Sequence, residues 1–219
     1  MTRDPGVAPD GSPVALYAAL GPHDAVDLVI DQAPAGGSVL DLGCGAGRLA
    51  APLAEAGLDV TGVDNHAEML AAVPTTVTSV HADIAGLDLG RRFDVVVLAS
   101  HLVNHPHLGG DFLATCRRHV AADGVVLVER FAPDLLAHLD AREGAYDGIR
   151  VRHELVSHDG DHFTARAHYS VAGTTWIQPY EAVLLGDDDF DVALGAAGLG
   201  LWDWVDEDRR WACAVRIQD

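Results

Sequence analysis

The chain contains no lysine, only three cysteines among its 219 residues, and no long apolar run. A small and odd number of cysteines argues against a disulfide framework. No segment approaches the roughly 18 apolar residues that a membrane-spanning helix needs, and the N-terminus lacks the basic and apolar pattern of a signal peptide. We therefore expect a cytoplasmic protein that has no membrane partner.

Positive charge is also scarce, because 14 arginines face 33 acidic residues and the formal net charge is −19. Such a surface repels phosphate backbones, which argues against nucleic acid as a partner. The arginine doublets at 91–92, 117–118 and 209–210 stand among acids and are predicted to form surface salt bridges. A homodimer is compatible with the sequence, which does not fix the oligomeric state.

The hydrophobic content of 49% is enough for one sizeable core. We expect a single domain over residues 1–219, with a disordered lead-in at 1–13. From residue 23 onward helical and strand patterns alternate, which predicts βαβ units and a parallel sheet. The predicted strands of this part are 38–42, 59–63, 76–80, 93–99 and 124–129. Three further strands, a helix and a final hairpin are predicted at 150–157, 162–170, 174–185, 188–197, 199–205 and 211–217.

The segment VLDLGCGAG at 39–47 is the most informative part of the chain. An apolar strand containing Asp41 leads into glycines at alternate positions: Gly43, Gly45 and Gly47. Glycine allows left-handed backbone angles and lets a ligand approach main-chain atoms. A strand, a glycine-rich turn and a helix together are typical of α/β folds that bind an adenosine-containing cofactor. The carboxylate suits a cationic ligand, and S-adenosylmethionine (SAM) carries both an ammonium group and a cationic sulfur.

A nicotinamide dinucleotide is the competing interpretation of the same glycines. Together with Ala50 they also fit the pattern G-x-G-x-x-A. A dinucleotide site places a phosphate at this turn and needs donors there, whereas Asp41 offers an acid. A further acid at Asp83 suits the adenine edge of SAM, so we favour SAM.

The motif DLGCGAG, followed by GVDNHAEML at 62–70 and HADI at 81–84, resembles the class I SAM-dependent methyltransferases. The resemblance is strongest over residues 14–131. It implies an α/β fold with a doubly wound, mostly parallel seven-stranded sheet, and an inserted antiparallel β cover at about 148–186 above the active site. It also implies methyl transfer from SAM to an oxygen or nitrogen of a small-molecule acceptor. The alternatives on this fold are another SAM-dependent reaction or a non-catalytic binding role.

The resemblance assigns the methionine and ribose parts of SAM to the first two strand ends. Asp41 would engage the ammonium group, and the backbone of the glycine loop, including Cys44, would lie against the methionine and ribose. Asp64 would accept hydrogen bonds from the ribose hydroxyls. Tyr17 either folds over the methionine end or packs on its helix face.

The adenine is assigned to the end of the third strand and to the residues that follow the second. Asp83 would accept a hydrogen bond from the exocyclic amine, and the backbone N–H of Ile84 would donate to a ring nitrogen. Asn65 either contacts the adenine edge or caps the following helix, and Met69 either packs on adenine or belongs to the core. Ser100 would line the methyl-transfer channel.

Histidines after the fourth strand are the candidate catalytic groups. His101 or His105 would act as a general base, since an imidazole titrates near neutral pH. The spacing H-x-x-x-H-x-H, completed by His107, invites a metal interpretation, but it lacks a paired carboxylate and no metal is predicted. The end of the fifth strand and the inserted cover supply further candidates for the acceptor region: Glu129, Arg130, Phe131, His153, Arg166, His168, Trp176 and Tyr180.

Overall fold

The computed structural model describes residues 6–141, 143–146, 149–171 and 173–217. Its strands are β1 (Ser38–Leu42), β2 (Asp59–Asp64), β3 (Thr78–His81), β4 (Phe93–Leu98), β5 (Val120–Glu129), β6 (Glu143–Tyr146), β7 (Ile149–Asp159), β8 (His162–Val171), β9 (Thr174–Val183), β10 (Leu199–Trp204) and β11 (Trp211–Arg216). Its α-helices are α1 (Val14–Ala19), α2 (Val26–Gln32), α3 (Ala50–Glu55), α4 (Ala67–Leu70), α5 (Gly109–His119), α6 (Leu135–His138) and α7 (Asp187–Ala196). Short 3₁₀ helices at Leu102–Asn104 and Leu139–Ala141 complete the described elements.

Seven strands form one sheet in the order β10-β11-β5-β4-β1-β2-β3. Strands β1 to β5 are parallel, and β11 runs antiparallel to β5 and to β10. This arrangement confirms the predicted doubly wound, mostly parallel seven-stranded fold. The strand order reverses at β1, whose neighbours are β2 and β4. The carboxyl ends of β1 and β4 therefore open the crevice in which such sheets bind ligands.

The sheet is buried on both faces, as its apolar strands predict. The side chains of Val95, Val96, Val97 and Leu98 in β4 are all 0% exposed, which is expected of a strand covered on both sides. Helices α5 and α7 pack on one face, where Leu113 and Leu194 join the core. Helices α2 and α3 pack on the other face, where Val29 and Leu53 do so. None of the described helices is long and apolar enough to cross a membrane.

The four remaining strands form a separate antiparallel sheet in the order β6-β7-β8-β9. We call it the cover sheet. It starts at Glu143, earlier than the predicted 148, because β6 pairs with β7. Its inner face carries Phe163, Ala165 and Ala167, which are 1–2% exposed. Its outer face carries the alternate side chains of the same strand, since successive residues of a strand point to opposite sides.

The N-terminal segment differs from its prediction. Residues 1–5 lie outside the described part, but 6–13 form a turn rather than a disordered lead-in. The backbone N–H of Ala8 donates to the carbonyl of Ser12 at 2.9 Å, and Nε2 of Gln178 in β9 donates to Oγ of Ser12 at 3.0 Å. This long-range anchor gives a glycine- and proline-containing segment a partner that local composition does not reveal.

Candidate functional site

The glycine loop after β1 is held tightly against the end of β2. Gly43, Gly45 and Gly47 have φ angles of 77°, 53° and 84°, a region that disfavours other residues. The backbone N–H groups of Gly43 and Cys44 donate to the carbonyl of Val63 at 2.8 and 2.9 Å. A Cβ atom on Gly43 would lie 2.6 Å from Cδ1 of Leu102. Gly43 therefore packs against Leu102 with no room for a side chain, whereas a Cβ atom on Gly45 would meet no atom within 4 Å, so the backbone of Gly45 is open to a ligand.

Asp41 is a buried acid whose carboxylate is not fully satisfied. It is 2% exposed, and its Oδ2 atom has no hydrogen-bond partner within the described residues. Burial raises its pKa to about 7, and Asp64 adds to this effect while His23 opposes it. Buried polar atoms normally have partners, so this oxygen fits a cationic ligand. The ammonium group of SAM is such a ligand.

Asp64, at the end of β2, holds the local backbone together. Its Oδ2 atom accepts from the N–H of Gly45 at 2.9 Å and its Oδ1 atom accepts from the N–H of His66 at 2.8 Å. Burial raises its pKa, against the effect of these two donors. A carboxylate oxygen accepts more than one hydrogen bond, so ribose hydroxyls remain compatible with this geometry. The ribose role stays a prediction.

The predicted adenine residues lie together beyond β2 and β3. Nδ2 of Asn65 donates to Oδ1 of Asp83 at 2.9 Å, and both side chains are exposed. Asn65 does not cap α4, whose N-cap is His66 without a side-chain bond. Met69 is buried, at 3% exposure. Ile84 is half-buried beside the glycine loop, and its carbonyl accepts from Oγ1 of Thr115 at 2.8 Å.

The chain turns sharply after β4, where Ser100 and His101 both adopt left-handed angles, with φ of 56° and 58°. The N–H of Ser100 donates to Oε2 of Glu129 at 2.7 Å. The His101 ring stacks on Phe131 with a centroid distance of 4.0 Å. Its Nδ1 atom is buried and has no hydrogen-bond partner in the described part of the chain. Burial lowers the pKa of His101, so the neutral imidazole is favoured.

His105, the other predicted base, is engaged by the backbone. Its Nδ1 atom accepts from the N–H groups of His107 and Leu108 at 3.1 and 3.2 Å, just before α5. Its ring packs edge-on against Phe112. Burial, and then the nearby His107, lower its pKa. This arrangement supports a capping role at the start of α5. Across the described residues, no group of three or more His, Cys, Asp or Glu could hold a metal ion.

Arg130 does not face the acceptor region, contrary to the expectation from its position beside Glu129. It is 0% exposed, and its guanidinium donates to the carbonyls of Arg209 and Leu185 and to the carboxylate of Asp187. It also lies 4.3 Å from the centroid of the Trp204 ring. Arg130 therefore ties β5 to α7 and to the final hairpin.

The alternation of β8 divides the predicted acceptor residues between the two faces of the cover sheet. Phe131 contacts Phe163 and Tyr180, and Nδ1 of His153 lies 3.1 Å from the hydroxyl of Tyr180. Trp176 packs near Leu16 and Ile149 in a cluster of the inner face. Arg166 and His168 instead lie on the outer face, where both contact Glu154. Their assignment to the acceptor region is therefore wrong.

Several contacts of this region carry no local sequence signal. Tyr17 donates through its hydroxyl to Oε1 of Gln178 at 3.2 Å, which joins α1 to the cover sheet. Asn104 is 1% exposed and donates to the carbonyl of Val183 while accepting from the N–H of Phe131. His23 and Arg210 reach Glu129 from distant parts of the chain. Only the fold brings these side chains together.

Comparisons with known proteins agree with this geometry. Residues 39–124 match the family model of a methyltransferase domain. The chain is 31% identical over 196 residues to the dTDP-3-amino-3,6-dideoxy-α-D-glucopyranose N,N-dimethyltransferase of Streptomyces fradiae, covering 81% of this chain and 76% of that protein. It is 33% identical over 122 residues to a ubiquinone biosynthesis O-methyltransferase of Caulobacter vibrioides, covering 49% of this chain and 46% of that protein.

A solved structure agrees over the whole length. The sugar N-methyltransferase from Streptoalloteichus superposes with a TM-score of 0.72 and 26% identity, covering 100% of this chain and 98% of that one. The open approach to the backbone of Gly45 and the unpartnered carboxylate of Asp41 fit SAM. The protein is an enzyme that transfers a methyl group from SAM to an oxygen or nitrogen of a small molecule. The chain belongs to the class I SAM-dependent methyltransferases.

Proposed function

We propose that this enzyme methylates an amine nitrogen of an amino-sugar-like acceptor and that His101 takes up the proton released there. One observation carries the proposal. Oδ2 of Asp41 and Nδ1 of His101 are buried without partners within the described residues, and they lie at the ends of the neighbouring strands β1 and β4. The first atom lacks a cation and the second lacks a proton donor, which are the two groups that this reaction brings in.

The residues of this chain that would hold SAM follow the strand ends in order. Asp41 would bind the ammonium group, and the backbone of Gly43, Cys44, Gly45 and Gly47 would flank the methionine and ribose. Asp64 would receive the ribose hydroxyls. When bound, SAM supplies an electrophilic methyl group on a cationic sulfur.

The adenine contacts are proposed at the far end of the crevice. The exposed pair of Asn65 and Asp83 and the backbone of Ile84 offer polar edges to a purine, and Met69 offers an apolar contact. Tyr17 and Ser100 would border the methyl group from the α1 side and the β4 side. The hydrogen bond from Tyr17 to Gln178 supports this placement, because it keeps Tyr17 between α1 and the cover sheet.

His101 is favoured over His105 as the base. A general base needs a free lone pair within reach of the proton that it removes. Nδ1 of His101 is unpartnered and its pKa is lowered by burial, whereas Nδ1 of His105 accepts two backbone N–H groups. The contribution of such a base is about 10²–10⁴ in rate.

The larger contribution would come from positioning the acceptor. Holding two reactants in line can supply about 7–11 kcal/mol of the barrier. Phe131, Tyr180 and His153 form a contiguous wall from His101 to the inner face of the cover sheet. This wall is suited to the apolar face of a sugar ring, and the cover sheet would exclude water from it.

The relatives support an amine over a hydroxyl. The amino-sugar N,N-dimethyltransferase matches 81% of this chain, and a match of that length includes β7 and β8 of the cover sheet. The O-methyltransferase match covers 49%. A hydroxyl acceptor is the second candidate, since an O-methyltransferase matches that 49% of the chain. An acidic surface with net charge −19 supports the absence of a nucleic-acid partner.

An acceptor panel tests the proposal. Amino sugars would be compared with the same sugars bearing a hydroxyl at the amine position, and with phenols and carboxylates, by the release of S-adenosylhomocysteine and the mass of the product. We expect methylation of amino sugars only. Equal turnover of the sugars that bear a hydroxyl at the amine position would favour O-methylation. Tight SAM binding without any product across the panel would favour the non-catalytic role.

A further inference from the structure

Glu129 ends β5 as a buried carboxylate, 3% exposed. Its Oε2 atom accepts from the N–H of Ser100 at 2.7 Å, and its Oε1 atom accepts from Nη2 of Arg210 at 2.9 Å. Nε2 of His101 lies 3.8 Å from Oε1, and Nε2 of His23 lies 3.8 Å from Oε2. Burial by itself would raise the pKa of Glu129, but His101, His23 and Arg210 hold it below its usual value. The carboxylate is therefore ionised beneath the turn that carries His101.

The same carboxylate fixes the backbone of that turn. Ser100 and His101 are consecutive non-glycine residues at positive φ, a conformation that persists only where surrounding contacts enforce it. The hydrogen bond from the Ser100 N–H to Glu129 is such a contact. Stacking on Phe131 holds the His101 ring from its face. Glu129 thus holds the backbone of Ser100, just before His101, and faces the His101 ring.

The two ring nitrogens of His101 meet different surroundings. Nε2 points toward the ionised carboxylate, which favours a proton on that nitrogen. Nδ1 has no hydrogen-bond partner among the described residues and then keeps its lone pair, because a neutral imidazole carries one proton. Nδ1 is therefore the nitrogen that carries the lone pair, in a buried position.

Other charged groups act on the same ring. Burial lowers the pKa of His101, Glu129 and the backbone of Arg130 oppose this, and Arg210 and His23 lower it further. Asp24 lies on the far side of Arg210, 4.0 Å from Nη2. Arg210 and His101 therefore both contact Glu129. The positive charge of Arg210 offsets part of the attraction between Glu129 and a protonated His101.

We propose that Glu129 is a positioning residue for His101, which it holds with a proton on Nε2 and with Nδ1 toward the acceptor, and which it stabilises after proton uptake, while Arg210 limits that stabilisation. This inference rests on the proposed function, in which His101 receives the acceptor's proton. The acceptor nitrogen forms a bond to the methyl carbon, and the bond from that carbon to sulfur breaks with its electron pair on sulfur. An N–H bond then breaks with its pair on nitrogen, and the proton bonds to Nδ1.

Nitrogen NMR of ¹⁵N-histidine-labelled, full-length enzyme saturated with S-adenosylhomocysteine tests this pairing without any acceptor. The His101 signals are assigned by their loss in His101→Gln. In the wild type we expect the tautomer protonated at Nε2. We expect Glu129→Gln to lower the His101 pKa by about one pH unit or more, since an ionised neighbour is removed. Arg210→Gln should raise it, and the charge-conserving control Arg210→Lys should leave it near the wild-type value.

Opposite shifts in the two variants distinguish positioning from a merely structural role, which would not move the titration in two directions. An Nδ1–H tautomer in the wild type, or one and the same His101 pKa in the wild type and Glu129→Gln, overturns the inference. If Glu129→Gln does not fold, the comparison of Arg210→Gln with Arg210→Lys decides, because Arg210 is partly exposed. In that case, an unchanged His101 pKa in Arg210→Gln overturns the inference.

Turnover separates this inference from the proposed function. With an acceptor found by the panel, Glu129→Gln should move the acid limb of the kcat profile to lower pH and reduce its plateau, with the KM for SAM unchanged. If the panel yields no product while the NMR shifts appear, the proposed function fails and the pairing stands. If product forms while the titration does not move, only the pairing fails.

Discussion

The backbone N–H of Gly45 donates to Oδ2 of Asp64 at 2.9 Å, which fastens the glycine loop after β1 to the end of β2. The same carboxylate accepts from His66 at the start of α4. One side chain thus holds the two backbone segments between which we place the ribose.

Replacing Asp64 by alanine should therefore weaken SAM binding and destabilise the fold together. We expect a loss of about 1–3 kcal/mol in SAM affinity, the range for leaving partners unmet, as measured by calorimetry, with a lower Tm. Asp59→Ala, at the other end of β2, is the matched control, since its exposed ion pair with Arg91 is worth little. Unchanged SAM affinity in Asp64→Ala would rule out the ribose assignment, whatever happens to Tm.

SAM binding should depend on pH through Asp41. Its pKa is raised to about 7 by burial, and only the ionised form attracts the ammonium group. Affinity should rise with pH up to about 7 and then level off, falling by about tenfold for each pH unit below that value. Calorimetry in buffers of different ionisation enthalpy should show proton release on binding at pH 6. Asp41→Asn should bind weakly with a flat profile; an equally steep profile in this variant would assign the titration to another group.

The ligand-free enzyme should become more stable when Asp41 is neutralised. Because its folded pKa is raised, the folded state binds this proton more tightly than the unfolded chain. The stabilisation of the folded state by this bound proton is present below about pH 4 and is lost as pH rises toward 7. Asp41→Asn should therefore raise Tm at pH 8 by on the order of 10 °C, since a rise of about three pKa units corresponds to about 4 kcal/mol and 1 kcal/mol moves Tm by about 2–4 °C at this size. The gain should vanish near pH 4, and a gain that is the same at both pH values contradicts this origin.

Gly43 should tolerate alanine less well than a glycine of similar backbone angle elsewhere. Gly43→Ala combines a φ of +77° with a contact of 2.6 Å to Cδ1 of Leu102, whereas Gly86→Ala has a φ of +76° and no atom within 4 Å. We expect a loss of about 1–2 kcal/mol in Gly86→Ala from the angle alone, and a further 1–3 kcal/mol or so in Gly43→Ala from overpacking.

A thermodynamic cycle makes the test sharper. Adding Leu102→Ala to Gly43→Ala should recover the overpacking part, with an interaction energy of about 0.5–3 kcal/mol. Denaturant unfolding measures each stability. Additive effects of the two substitutions would mean that Leu102 moves aside without cost.

The two histidines should separate in activity and stability. His101→Gln should reduce kcat by about 10²–10⁴ with little change in SAM affinity, in an assay with an acceptor from the panel. His105→Gln should mainly lower Tm, because it removes the acceptor of two backbone N–H groups before α5. A loss of turnover in His105→Gln that matches that of His101→Gln at an unchanged Tm would reverse the assignment.

The sequence by itself determined the parallel core and the order of the acids along it. Apolar runs bounded by turns predict strands wherever both faces are covered, and parallel strands bring residues such as Asp41, Asp64 and Asp83 to one edge of the sheet. Left-handed angles at the glycine loop also follow from local chemistry. These features depend on residues that are near one another in the chain, so a local pattern contains them.

The tertiary structure alone decided what each charged side chain faces. Arg130 and Glu129 are adjacent at the end of β5, yet the first is buried against Asp187 and Trp204 while the second meets His101 and Arg210. Alternation indicates that neighbouring residues of a strand point opposite ways, but not which side holds the crevice. Arg166 therefore lies on the outer face of the cover sheet, against the expectation from the sequence. Partners distant in the chain are set by packing, because burial of a charge is tolerated only where the fold supplies its counterpart.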